Sequence, residues 1–154
     1  MKILLKEVDL RRIINRVIDE SVEYTNINFD EINGVDGLTY ALKNNVLEKL
    51  IPLSNLVINL PAEKRYDLSS TKSILGFLNT IKKDIDTARS LFDDFESNEE
   101  IANTDEFTLL DTILFKIDMI YDSLFFLFDR LDSLFMEIDD DFDVFIDDVK
   151  KHLK

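Results

Sequence analysis

Apolar residues recur at alternating steps of four and three through much of this chain. In "SSTKSILGFLNTIKKDIDTARSLFDDFES", Ile74, Leu78, Ile81, Ile85, Ala88, Phe92 and Phe95 keep that spacing, and Phe77 and Leu91 widen the stripe. A period near 3.6 gathers these side chains on one face. The pattern therefore predicts an amphipathic helix with Ser70 as its N-cap, ending near Phe95. Gly76 inside it costs about 1 kcal/mol relative to alanine, which points to a close helix contact at that position.

After the polar stretch "ESNEEIANT" the period restarts. Thr104 is the next N-cap candidate, and Asp105 and Glu106 follow in the first turn, where the helix dipole favours them. Leu110, Ile113, Ile117, Ile120, Leu124, Leu127, Leu131, Leu134 and Ile138 then continue at steps of three and four. A second file runs every seven residues through Leu114, Tyr121, Phe128, Phe135 and Phe142. The combined face is broad enough for a bundle. At about 1.5 Å per residue, the segment from Leu110 to Ile138 spans roughly 41 Å. The preceding helix is shorter, so other elements must cover the overhang or the long helix bends.

The remaining elements follow from shorter patterns. "VDLRRIINRVIDESVEY" places Leu10, Ile14, Val17, Ile18 and Ser21 on one side of a helix, and "MKILL" reads as a short strand or as that helix's first turn. Asp36 is a cap for "GLTYALKNNVLEKLI", with Leu38, Leu42, Val46 and Leu50 facing inward. Pro52 and Pro61 bracket "LSNLVINL", a short helix or an extended connector. "DVFIDDVKKHLK" gives a last short helix with Phe142, Phe145, Ile146, Val149 and Leu153 inside and cations at its C-terminal end. The predicted fold is all-α: a single domain over residues 1–154, a bundle of five or six helices built on a long antiparallel hairpin of residues 70–96 and 104–139.

One stretch exceeds what a single packed face needs. In "DSLFFLFDRLDSLF" the two DSLF copies stand ten residues apart, roughly 80° short of whole helical turns, so they do not present one surface. Leu124, Leu127, Phe128, Leu131, Leu134 and Phe135 belong to the core face, and Asp122, Asp129 and Asp132 to the wet one. Phe115, Met119 and Phe126 project from the opposite side, with Phe125 on the flank. A helix apolar nearly all round is either wrapped by its own chain or contacts a partner. Phe115, Met119, Phe125, Phe126, Asp129 and Asp132 are therefore the candidate partner-binding residues, and a homodimer is the alternative use of the same surface.

Composition narrows the chemistry. With no Cys, disulfides, thiol nucleophiles and thiolate metal sites are excluded. Three Gly and two Pro are too few turn residues for a small β-sandwich or barrel. The apolar run at the start is too short for a signal peptide and is interrupted by Glu7, Asp9, Arg11 and Arg12, so a cytoplasmic location is expected. No apolar run reaches the length of a bilayer span, and no membrane role is expected.

The formal net charge is −14, which repels nucleic acid and anionic lipid and favours basic partners. The charge is uneven: residues 1–16 balance at +3, while residues 105–154 carry 14 acids against 5 bases. The basic start is expected to lie near the acidic end. No basic patch with interleaved aromatics occurs, so direct nucleic-acid binding is disfavoured.

Catalytic readings fare poorly. Asp139, Asp141 and Asp143 match the first three ligand positions of an EF-hand loop, but Val144 stands where the turn glycine belongs and Lys150 where the bidentate glutamate belongs. Asp139, Asp140 and Asp143 also have the DDxxD spacing by which prenyl-diphosphate synthases hold magnesium. That likeness covers five residues, and no second copy exists. These three are the candidate metal ligands, set against a solvated helix junction. Glu20 and Glu23 supply only the first half of the ExxE…ExxD set of all-α nucleotide pyrophosphatases. His152 is the sole histidine, which removes triads and Glu-x-x-His di-iron sites. The expected function is non-enzymatic and cofactor-free: a small acidic helical protein that binds another protein, of immunity, antitoxin, inhibitor or chaperone type. A structural homo-oligomer and a divalent-metal enzyme are the alternatives.

Overall fold

A computed structural model describes residues 24–59, 71–132 and 138–153, apart from the side chains of residues 138 and 139. Helix makes up 87% of it and no strand occurs among the described residues, so the fold is all-α. A 3-10 turn, Phe29–Glu31, leads into five helices. Helix α1 runs without a break through Gly34–Ala41, a π-helical stretch Leu42–Leu47 and Glu48–Ile58. Then come α2 (Thr71–Glu96), the short α3 (Glu99–Ala102), α4 (Asp105–Asp132) and α5 (Ile138–Lys150). The expected N-terminal helix, the "MKILL" segment, the basic residues of 1–16, Glu20, Glu23, Ser70 and Pro61 lie outside the described residues.

Helix α4 is the hub, with α1, α2 and α5 all packed on it. Its inward face is the one the period predicts. Leu110, Ile117, Ile120, Leu124, Leu127 and Phe128 are sealed from solvent, and Leu114 and Tyr121 nearly so. Ile74, Phe77, Leu78, Ile81, Ile85 and Ala88 of α2 complete one contiguous core with Leu38, Leu42, Val46, Leu50, Leu53 and Val57 of α1. Between α2 and α4, Phe92 stacks on Phe107 with ring centroids 4.8 Å apart, Arg89 pairs with Asp118, and Tyr121 bonds to Leu78. Partner positions thus fall along α2 as they rise along α4.

Several boundaries differ from the sequence expectation. The part of the expected second arm over residues 133–137 lies outside the described residues. Helix α4 is described to Asp132, and Ile138 opens the next described helix. The described lengths are 28 residues for α4 and 26 for α2. Helix α5 lies back along α4: Arg130 pairs with Asp141, and Phe115 meets the His152 ring at 5.9 Å. Phe142, Phe145 and Val149 of α5 are buried as predicted.

Helix α1 begins at Gly34 with φ at 71°, a conformation glycine adopts without strain, so Asp36 sits in the first turn rather than at the cap. It then continues through Pro52, where the sequence suggested a break. Burial of Leu50, Leu53 and Val57 on one face offsets the backbone bond that proline cannot donate. The π stretch has a visible cause. Leu38, Leu42, Val46 and Leu50 recur at three successive steps of four, which would drift by roughly 120° around an ordinary helix. The wider i→i+5 turn absorbs that drift and keeps all four inside.

Gly76 also departs from expectation. A Cβ built there meets nothing within 4 Å among the described residues, so no described helix contact demands a glycine. Thr104 does cap α4, accepting the Phe107 N–H at 3.2 Å through its hydroxyl. In the polar stretch before it, Asn98 caps α3 by accepting from the Glu100 N–H at 3.1 Å.

Candidate functional site

The side of α4 away from the core carries the predicted apolar residues. Phe115 is 56% exposed and Phe126 52% exposed, and Met119 between them is half-buried. Eleven residues separate the two rings, just over three turns, so both face one way. Phe125 turns toward the flank: it is half-buried, packs against the core and stacks on Tyr121 with centroids 6.1 Å apart. Asp129 and Asp132 are exposed further along, and Asp129 is engaged in an interaction of its own.

Helix α5 borders this strip. Val144 is 52% exposed and extends the apolar surface across the helix pair. A hollow of about 260 Å³ lies between the two helices, lined by Asp122, Ser123 and Phe126 of α4 and by Asp141, Val144, Phe145 and Asp148 of α5. Arg130 spans one end. Its guanidinium carbon sits 5.4 Å from the Phe126 ring centroid, a cation–π contact, and its Nε donates to Asp141. At the far end His152 meets Phe115 edge to face. Helices α4 and α5 together carry thirteen acidic residues against three basic ones.

Toward α2 the environment is drier. Burial pushes the Asp118 carboxyl up, and the Arg89 guanidinium beside it pulls the other way. Tyr121 is pushed up to about 12 by burial and by the nearby Asp122 and Asp86 carboxylates.

The candidate metal ligands lie in the first turns of α5. Asp140 and Asp143 are exposed on α5, the Asp139 side chain lies outside the description, and Asp143 has an interaction of its own. Among the described residues no three Asp, Glu or His side chains converge into a group able to hold a metal ion. A larger hollow, about 460 Å³, lies beside the 3-10 turn between Asn28, Glu31, Tyr40 and Asn45. Its polar lining consists of the Asn28, Asn33 and Asn45 amides, the Glu31 carboxylate and the Tyr40 hydroxyl.

The sequence pattern left one polar centre unmarked. Asp84 is 3% exposed and accepts from the Tyr24 hydroxyl, from the Ile27 N–H at 2.9 Å and from the Asn26 side-chain amide at 3.4 Å. It straps residues 24–27, which precede the 3-10 turn, onto α2. Burial first, and then the Asp84 carboxylate, hold the Tyr24 phenol well above its usual range. A signal was present: Asp84 stands midway between Phe77 and Leu91 in the seven-residue file of core positions.

No helix among the described residues is long and apolar enough to cross a membrane. Comparison of the chain with protein-family models, with curated proteins and with solved structures finds no match.

Proposed function

We propose that this chain works by binding another protein, one with a basic surface, and catalyses no reaction. One observation carries this reading: Phe115 and Phe126 stand half-exposed on a helix whose opposite face is fully packed, beside a second helix dense in carboxylates. Exposed aromatic anchors are what a partner can desolvate, at roughly 25 cal/mol per Å² of apolar surface covered. The surrounding acids steer a basic partner into place and set its orientation. The kinds of protein that act this way include an immunity protein or antitoxin, a phage or plasmid inhibitor of a basic host factor, and a chaperone for an exported subunit. A cytoplasmic setting goes with the cysteine-free composition.

A structural homo-oligomer would use the same strip. The charge argues against it, because a two-fold interface there would set each copy's acids against the other's. For a metal-dependent enzyme on Asp139, Asp140 and Asp143, no converging group of carboxylates among the described residues lends support, and the Asp139 side chain lies outside the description.

The test is capture of partners by the tagged chain at low and high salt, with Phe115→Asp and Phe126→Asp beside the parent. A basic partner held at low salt, released at high salt and lost in both variants supports the reading. Light scattering of the purified chain is expected to give a monomer. A dimer dissolved by Phe126→Asp replaces this reading with the homo-oligomer.

A further inference from the structure

We infer that the cleft between α4 and α5 recognises a lysine or arginine side chain projecting from an amphipathic segment of the partner, an inference that rests on the protein-binding reading above. The cleft already displays the chemistry it offers. At one end Arg130 lays its guanidinium over the Phe126 ring and pairs with Asp141, so a cation fits between an aromatic face and a carboxylate there. The rest of the cleft holds the same parts without an internal cation. Asp122 and Asp148 line it from the two helices, beside the same Phe126, and neither forms an ion pair with a described residue. A positive side chain entering there gains two carboxylates and an aromatic ring on a partly apolar floor, where charge-assisted contacts are stronger than in open water.

The volume selects the ligand class. At about 260 Å³ the hollow is smaller than the usual small-molecule site and suits one long side chain. The exposed apolar surface continues past it on both helices, through Phe115 and Val144. The occupant must therefore carry apolar residues next to its cation, as an amphipathic helix does at three- and four-residue spacing. A second copy of this chain is disfavoured by charge, since α4 and α5 carry ten more acids than bases.

The probe is a fluorescein-labelled amphipathic helix of leucine and lysine, with leucine/glutamine and leucine/glutamate versions as matched controls. Binding is read by fluorescence anisotropy at about 50 and 300 mM salt, conditions that shorten the range of surface charge. Asp122→Asn/Asp148→Asn is compared with Asp93→Asn/Asp94→Asn, which removes equal charge from exposed positions on α2. The leucine/lysine helix is expected to bind, with the neutral version about tenfold weaker. The cleft pair is expected to weaken binding about tenfold and the distant pair less than about twofold. Equal losses in both pairs, or no loss in the cleft pair, overturn the inference. Loss with Phe126→Ala but not with the cleft pair leaves the protein-binding face standing and removes the cleft. Selective peptide binding in a chain that captures no partner keeps the cleft and removes the proposed function.

Discussion

The Tyr121 hydroxyl donates to the main-chain carbonyl oxygen of Leu78, 3.0 Å away and 43 residues earlier in the chain. The bond is buried and ties α4 to α2 at a core position of each helix. Tyr121→Phe keeps the ring and removes the bond, so a loss of about 0.5–1.5 kcal/mol in urea unfolding is expected. The alkaline limb carries a second signature. Folding raises the Tyr121 pKa from 10.0 to about 12. Its contribution is fully present below the unfolded value and is lost as pH rises through the folded one. Stability of the parent should fall between about pH 10 and pH 12 more steeply than that of Tyr121→Phe. Parallel curves would show that the phenol is not held in this way.

Asp84 gathers three donors, so its removal leaves part-buried donors without their acceptor. Asp84→Ala is expected to cost about 2–4 kcal/mol, measured as a lower urea midpoint. In the gentler Asp84→Asn the Tyr24 phenol loses a carboxylate that resists its ionisation. Its absorbance titration should move to lower pH, and an unmoved titration would mean that Asp84 does not hold Tyr24.

Gly76 is exposed, helical and, among the described residues, free of neighbours that an added methyl would strike. Gly76→Ala should therefore raise stability by about 0.5–1 kcal/mol, chiefly by restricting the unfolded chain. A lower melting temperature would reveal a backbone demand that the geometry does not show.

The Ser54 hydroxyl is fully buried in α1 and has no hydrogen-bond partner among the described residues. Ser54→Ala removes the uncompensated polar atom with little change in volume. A gain of up to about 1 kcal/mol is expected in thermal unfolding. A clear loss would show that the hydroxyl is satisfied in solution, for instance by a trapped water.

Helical class, and which side chains of α2, α4 and α5 turn inward, could be read from the chain alone. A period of 3.6 is a local property: Ile74, Leu78 and Ile81 share a face whatever lies opposite them. The Thr104 cap was legible for the same reason, since a hydroxyl three residues before an N–H is local geometry. The outward placement of Phe115, Met119 and Phe126 followed from the same period.

What borders that outward strip was a tertiary matter. Helix α5 meets α4 through Arg130 and Asp141 and through Phe115 and His152, pairings that no spacing announces. They decide that Asp122 and Asp148 share a cleft. Asp84 is the same lesson in reverse: a carboxylate in a core file could have been a defect, and becomes a strap only because residues 24–27 bring three donors to it. Pro52 passes through a helix because apolar neighbours on α1 are buried against other elements. Periodicity assigns a face to each helix. Only the meeting of residues far apart in the chain assigns the neighbour, and the neighbour sets burial, ion pairing and the shape of the cleft.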